Sequence, residues 1–343
     1  MIKKFIILIL FNIFIFSNLS ASDQKIDLSD KGIVSLIYHR FDETKYPSTN
    51  INMSDFKNQM EIIKKKNFDF YNPIKFNLDF HKPKKEKKFL LTIDDAFTSF
   101  YENAWPYLKQ KKIPFILFVS TQAVGKKGYM TWEQIKEIES SSFGFIGNHS
   151  HTHEYLVKFS FEDFKKDIDI SSKIFEKKIG YNPIFFSYPF GEYSLVQKEY
   201  IEKKFTYAFG QNSGVIDINK DNYELPRFPI NEKYGDLKRF NFLVDLLPLQ
   251  YQNILPEDKF IDNYKNNPPD MKIVFFNDQK NIEKINCYSN DGSEWSKTLT
   301  IIEDNSLKLK FKEKFSFRRG RVNCSLQDKE GWRWLGIQFT IKD

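Results

Sequence analysis

The chain has 343 residues, 28% of them charged and 41% hydrophobic. This composition supports a large buried core and excludes both a disordered and a membrane-embedded protein. The formal charge of +7 comes from Lys and Arg scattered among acidic residues. That pattern excludes nucleic acid as a partner and leaves at most a weak pull toward anionic polymers.

Lys3 and Lys4 precede an apolar run from Phe5 to Phe16, which ends at Ser17-Asn18-Leu19-Ser20-Ala21. A basic start, an apolar stretch and a small residue at the end predict a signal peptide over 1–21. The run is short for a bilayer span of about 20 residues. Export to the periplasm or the exterior is therefore expected, with membrane association if the signal stays uncleaved. No Cys follows the run, so lipoprotein processing is not expected. In an oxidising compartment the two cysteines, Cys287 and Cys324, are expected to form a disulfide.

Gly32 to Tyr38 reads as a buried strand ending at His39. Ser54 is placed as the N-cap of an amphipathic helix carrying Phe56, Met60 and Ile63. Phe89 to Ile93 is a second strand, closed by Asp94-Asp95, and a helix over 97–111 leads to a third strand at 114–120. Thr131 with Gln134 opens a helix, and Phe143 to Ile146 is a strand leading into His149-Ser150-His151-Thr152-His153. Ser160 and Gly180 bracket a long helix, followed by a strand at 184–187 and Tyr188-Pro189-Phe190-Gly191. Ser194 with Gln197 opens another helix before a strand at 207–209. Such alternation predicts an α/β fold with a parallel sheet under helices, and the polar clusters all fall at strand C-terminal ends.

From about Pro268 only short strand-like runs remain, including 282–288 and 334–341. We place the first domain at 22–255, a linker at 256–269 and an all-β sandwich-like module at 270–343. Trp295, Trp332 and Trp334 could stack on sugars. Trp332 and Trp334 alternate along a strand, however, which favours packing or docking of a partner such as an export complex.

Three of the five histidines lie within 149–153, and His149 and His153 are four apart. Imidazoles at that spacing suit a divalent ion such as Zn2+, which in a catalytic site takes three protein ligands and keeps one position open. Asp94-Asp95 supplies carboxylates, costly side by side unless a cation uses their charge. One can bind the ion while the other serves as a base.

Thr92-Ile93-Asp94-Asp95-Ala96 and His149-Ser150-x-x-His153 resemble the signature motifs of the polysaccharide deacetylases, carbohydrate esterase family 4 with its NodB-homology domain. The resemblance covers roughly residues 31–235. It implies a distorted (β/α) barrel, with Asp95, His149 and His153 holding the metal (Zn2+, or Co2+, Ni2+ or Fe2+) and Asp94 as general base. It also implies hydrolysis of N-acetyl groups on an amino-sugar polysaccharide with release of acetate. The family's Arg-x-Pro-Tyr/Phe element reads Ser187-Tyr188-Pro189-Phe190 here. Pro189 and Phe190 match, so the Phe190 N–H is a candidate oxyanion donor, and Tyr188 and Tyr193 are candidate walls of the sugar cleft. The arginine is missing, and Arg227 is the candidate replacement. No histidine follows His153, so the family's late histidine is missing as well. The early Tyr38-His39 element is similar to the poly-N-acetylglucosamine deacetylase subgroup. His39 is therefore the candidate general acid, its pKa expected near neutral. Ala96 stands where the family has Gly, a position that tolerates Ala where φ is negative.

Overall fold

The computed structural model describes residues 30–261, 265–292, 294–316 and 318–342. The expected signal peptide lies outside the described residues. No helix among those described is long and apolar enough to cross a membrane.

The first unit runs β1 (Ile33–Tyr38), α1 (Met53–Lys65), β2 (Lys88–Ile93), α2 (Trp105–Lys111), β3 (Phe115–Val119), α3 (Trp132–Glu139) and β4 (Gly144–Asn148). It continues through α4 (Phe161–Ile179), β5 (Phe185–Ser187), α5 (Leu195–Glu202), β6 (Tyr207–Phe209), β7 (Val215–Ile216), β8 (Phe228–Pro229) and α6 (Leu237–Leu243). The sheet order is β7-β1-β2-β3-β4-β5-β6, with β8 also on β1. All these pairs are parallel except β1 with β7. The edges of the sheet are not paired strand to strand. The segment after β7 spans them, as Leu225 N–H donates to Ala208 O and Gly210 N–H to Leu225 O. The result is a curled, incomplete barrel, the distorted form the family resemblance implies.

Local chemistry accounts for the elements. Every residue of β1 is buried, as befits a central parallel strand covered on both faces. The capping boxes Thr131/Gln134 and Ser194/Gln197 open α3 and α5, and left-handed Gly180 (φ 88°) ends α4. Ser54 is not the cap of α1. Asn52 holds that position without a side-chain bond, and Asp42 accepts the Met53 N–H instead at 2.8 Å. The 97–111 helix is broken, with a wide turn over Phe100–Ala104 preceding α2, because Pro106 lacks the N–H a continuous helix needs.

The second unit is a sandwich. One sheet orders β9 (Leu247–Pro248), β18 (Gly331–Ile341), β17 (Arg319–Asp328), β13 (Asn286–Ser289) and β14 (Ser296–Lys297), with β11 (Phe260–Ile261) also on β18. The other orders β10 (Asn253–Leu255), β12 (Met271–Val274), β16 (Ser306–Lys310) and β15 (Leu299–Glu303). The strand expected from Ile282 starts only at Asn286, after a 3-10 turn. Two boundaries move as a result. Strands β9, β10 and β11 belong to these sheets, so the second unit begins near residue 247. The 256–269 stretch is partly strand rather than linker, because the sheet edges need partners that precede residue 270.

Cys287 and Cys324 face each other across β13 and β17, fully buried and joined by a disulfide of 2.04 Å. Neither unit stands alone. Asn212 Nδ2 donates to Gly336 O at 3.0 Å, and a Cβ on Gly336 would lie 2.0 Å from Ser213 O. The second sheet therefore lies directly on the 210–214 segment of the first unit.

Candidate active site

The C-terminal ends of β1, β2, β4 and β5 bring His39, Asp94, Asp95, His149 and Ser187 together. Asp95 is left-handed (φ 74°), so the two adjacent carboxylates part: Asp94 turns into the barrel and Asp95 into the cleft. Ala96, Ser150, His153 and Phe190 also have positive φ. Strained backbone thus gathers at one place, as it does where side-chain aim outweighs local preference. Ala96 is correspondingly not in the negative-φ conformation that favours alanine.

Asp95 Oδ1 lies 3.1 Å from His153 Nε2 and 3.5 Å from His149 Nε2. One ligand atom from each of these three residues fits within 4.8 Å. His149 Nδ1 sits 2.7 Å from the Ser187 carbonyl, which can only accept, so Nδ1 carries the proton. The buried Nε2 is therefore a bare lone pair, and it has no hydrogen-bond partner. It faces Asp95 Oδ1 and, at 3.6 Å, Asp94 Oδ2, which are acceptors too. Acceptors converging without a proton are unfavourable unless a cation lies between them. Ligands of a tetrahedral divalent ion at about 2.1 Å stand about 3.4 Å apart, close to the spacings seen. The residues fit a metal.

The electrostatics lean the same way at His149. Burial leads in pushing His149 down to about 4, against the pull of Asp94. Burial alone would raise Asp95, but His153 holds it well below the usual carboxylate range. Burial works to lower His153, yet the Asp95 carboxylate leaves it raised overall.

Behind this cluster, Asp167 on α4 accepts the N–H groups of His151 and Thr152 at 2.7 and 3.1 Å, and the Thr152 hydroxyl at 2.7 Å. Ser150 Oγ accepts the His153 N–H at 3.0 Å. His151 itself turns away to the Thr121 hydroxyl, 2.8 Å distant.

Arg227 is fully buried, one of the two largest such side chains among the described residues. Its Nη1 donates to Asp94 Oδ1 at 2.7 Å and to Thr92 Oγ1 at 3.1 Å. Nη2 donates to Asp94 Oδ2 at 3.0 Å and Ser187 Oγ at 2.7 Å, and Nε donates to Gly210 O at 2.9 Å. All five N–H donors are satisfied around a bidentate pair. Burial would raise Asp94, but Arg227 leads the groups that bring it below its usual range.

His39 lines the same cleft as Asp95 and His153. Its pKa is displaced downward rather than held near neutral, because burial outweighs both aspartates. Phe190 also lines the cleft, its ring 4.8 Å from that of His153. Tyr188 and Tyr193 do not wall the sugar cleft. The turn at Pro189 sends them into an apolar cluster, stacked on each other at 4.4 Å, and Pro189 is buried as part of that turn. Thr92 and Ser187 stand in the quoted motifs without an assigned role, and Asp167 is not singled out, since Ser, Thr and Asp are too common to stand out unless a partner is known.

The cleft has a volume of about 600 Å³, and its far wall comes from the second unit: Trp295, Arg319, Arg321, Asn323, Trp334 and Ile337. Arg318 lies 3.7 Å from the Tyr155 ring centroid and bonds Glu192 at 2.8 Å, while Gln338 Nε2 donates to Phe190 O and Gly191 O. Trp332 and Trp334 pack against Phe242 of α6. This face of the sandwich is therefore turned onto the first unit.

Residues 81–208 match the family described as polysaccharide deacetylase. Over 240 residues, 62% of this chain and 83% of the relative, the sequence is 24% identical to a poly-beta-1,6-N-acetyl-D-glucosamine N-deacetylase of Staphylococcus aureus. The fold is shared with IcaB from Ammonifex degensii (TM-score 0.56, 24% identity, 62% of this chain and 97% of that one). It is also shared with the Streptococcus pyogenes deacetylase PplD (TM-score 0.55, 23% identity, 60% and 95%). The incomplete barrel, the Asp-His-His cluster and the matched sequence coincide in one region. The chain carries a polysaccharide deacetylase domain.

Proposed function

We propose that the protein hydrolyses N-acetyl groups on an amino-sugar polysaccharide, releasing acetate, in a reaction that depends on a divalent metal. The observation that carries this reading is the bare His149 Nε2 lone pair converging with Asp95 and His153 beside a carboxylate fixed by Arg227. Asp95, His149 and His153 would hold the ion, with Zn2+ the first choice for two imidazoles and one carboxylate. A divalent ion there supplies Lewis acidity toward the acetyl carbonyl and the attacking water.

The protein side chains do the rest. Asp94, kept ionised by Arg227, accepts the proton of the attacking water at Oδ2, the oxygen that looks toward His149. The Phe190 N–H is assigned to the developing oxyanion. His39 is assigned to protonate the leaving nitrogen, since an amide anion is too basic to leave unaided. The protein is assigned to an exported location, supported by the basic-apolar start of the chain and the disulfide.

The test is acetate release from N-acetylglucosamine oligomers, with the protein treated with chelator and then reloaded with Zn2+ or Co2+. Turnover should disappear with the metal and return with it. Oligomer binding without acetate release in the reloaded protein would overturn the reading and leave a carbohydrate-binding protein that keeps the metal site.

A further inference from the structure

The cleft carries more positive charge than its own carboxylates answer. On β17 the side chains alternate, with Gly320, Val322, Cys324 and Leu326 buried. Arg319, Arg321 and Asn323, on the opposite face, line the cleft, and Arg239 from α6 joins them. Arg319 shares Glu192 with Arg318, at 3.4 and 2.8 Å, so one carboxylate meets two guanidiniums. Arg321 donates through Nε to the neutral Gln338 Oε1 at 3.2 Å. The Arg239 guanidinium donates to the Pro229 and Tyr234 carbonyls and lies 5.3 Å from the Tyr234 ring centroid. Neither Arg321 nor Arg239 has a carboxylate in ion-pair range among the described residues.

Across the cleft, Asp95 is engaged by His153 and Asp94 by Arg227. Burial, followed by the neighbouring Arg321, pushes Arg319 below its usual range. Partly desolvated cations that lack a carboxylate in ion-pair range are costly, and an anion entering the cleft relieves that cost. Planar guanidiniums suit carboxylate or phosphate oxygens, which they bind in bidentate fashion. Trp295, 48% exposed on the same wall, offers a flat apolar face of the kind sugar rings stack on.

We propose that the substrate is an anionic N-acetylated polysaccharide, whose carboxylate or phosphate, on a sugar near the reacting N-acetyl group, is held by Arg321 and Arg239. The assignment rests on the deacetylase reading and deepens it. It makes the β-sandwich part of the substrate site and not an appendage.

The test uses the full, Zn-loaded chain and three oligosaccharides: neutral N-acetylglucosamine oligomers, oligomers alternating N-acetylhexosamine with hexuronate, and N-acetylhexosamines joined by phosphodiesters. Acetate release should show kcat/KM at least about tenfold higher for one anionic series than for the neutral one, the size expected for one charge-assisted contact. The preferred series identifies the anion. The ratio should shrink as salt is raised. Arg321→Gln and Arg239→Gln should each reduce it about tenfold, while Arg321→Lys keeps most of it. If a Gln variant fails to fold, the salt series on the unaltered protein and Arg321→Lys still decide. Equal kcat/KM for neutral and anionic oligomers, or a ratio unmoved by salt and by Arg321→Gln, overturns the proposal. If no oligomer releases acetate, the deacetylase reading falls instead, and calorimetric binding to the metal-free protein decides this one. Tighter binding of an anionic series that Arg321→Gln abolishes supports it, and equal binding of all three overturns it.

Discussion

Arg227 in the barrel and Arg321 on the sandwich wall are treated in opposite ways, although the sandwich also has a buried, paired arginine in Arg333, which meets Asp328. In the barrel, Arg227 spends all five donors on fixed partners and faces one carboxylate bidentately. On the sandwich wall, Arg321 has a neutral amide acceptor and no carboxylate in ion-pair range among the described residues. A paired buried cation fixes another group in place, whereas an unpaired one at a cleft leaves a position for something that arrives from outside. Arg227 thus serves positioning, whereas Arg321 is left open to what enters the cleft.

Six substitutions probe this contrast. Asp95→Asn or His149→Ala should have the greatest effect, with loss of bound metal measured by elemental analysis and a fall in kcat/KM of roughly a thousandfold or more. Asp94→Asn separates the roles of the two carboxylates: metal content should stay at the level of the unaltered protein while kcat falls roughly 100- to 10,000-fold. Retained turnover in that variant would remove Asp94 from the chemistry.

Arg227→Gln leaves Asp94 buried without its partner. Thermal or denaturant unfolding should show a loss of about 3–5 kcal/mol, together with lowered activity. Gly336→Val acts on the other unit. Its side chain would press on the Ser213 carbonyl, where a Cβ already comes to 2.0 Å. A loss of about 1–3 kcal/mol is expected, along with lower activity on every oligomer. Full activity in a well-folded Gly336→Val protein would mean that the sandwich need not sit on the barrel.

Ala96→Gly should do least. Relief of left-handed strain, about 1–2 kcal/mol, is offset by the lost methyl burial and the extra chain entropy, so unfolding should shift by less than about 1 kcal/mol.

Much of the catalytic side was legible in the chain itself because it is local. Asp94-Asp95 closes an apolar strand, His149 and His153 lie four apart, and the caps of α3, α4 and α5 are spelled within single turns. Arg227 could be named as a candidate from chemistry, but 133 residues separate it from Asp94, and no local pattern announces such a pair. The tyrosines show the converse error. Tyr188 and Tyr193 flank a matched motif, yet the turn at Pro189 points them into the apolar core, and aromatic character alone does not tell a sugar platform from packing.

Periodicity and motif spacing reach as far as the repeated strands and helices, the site at their C-terminal ends and the three side chains suited to a metal. Alternation along 319–326 likewise marks β17 as two-faced. What covers its polar face is a long-range matter. Only the folded chain lays Arg321 and Trp295 over the mouth of the barrel, because contacts such as Asn212 to Gly336 join residues far apart in sequence. Strand and helix follow from near neighbours in the chain, whereas a cleft shared by two units is settled by how their surfaces pack.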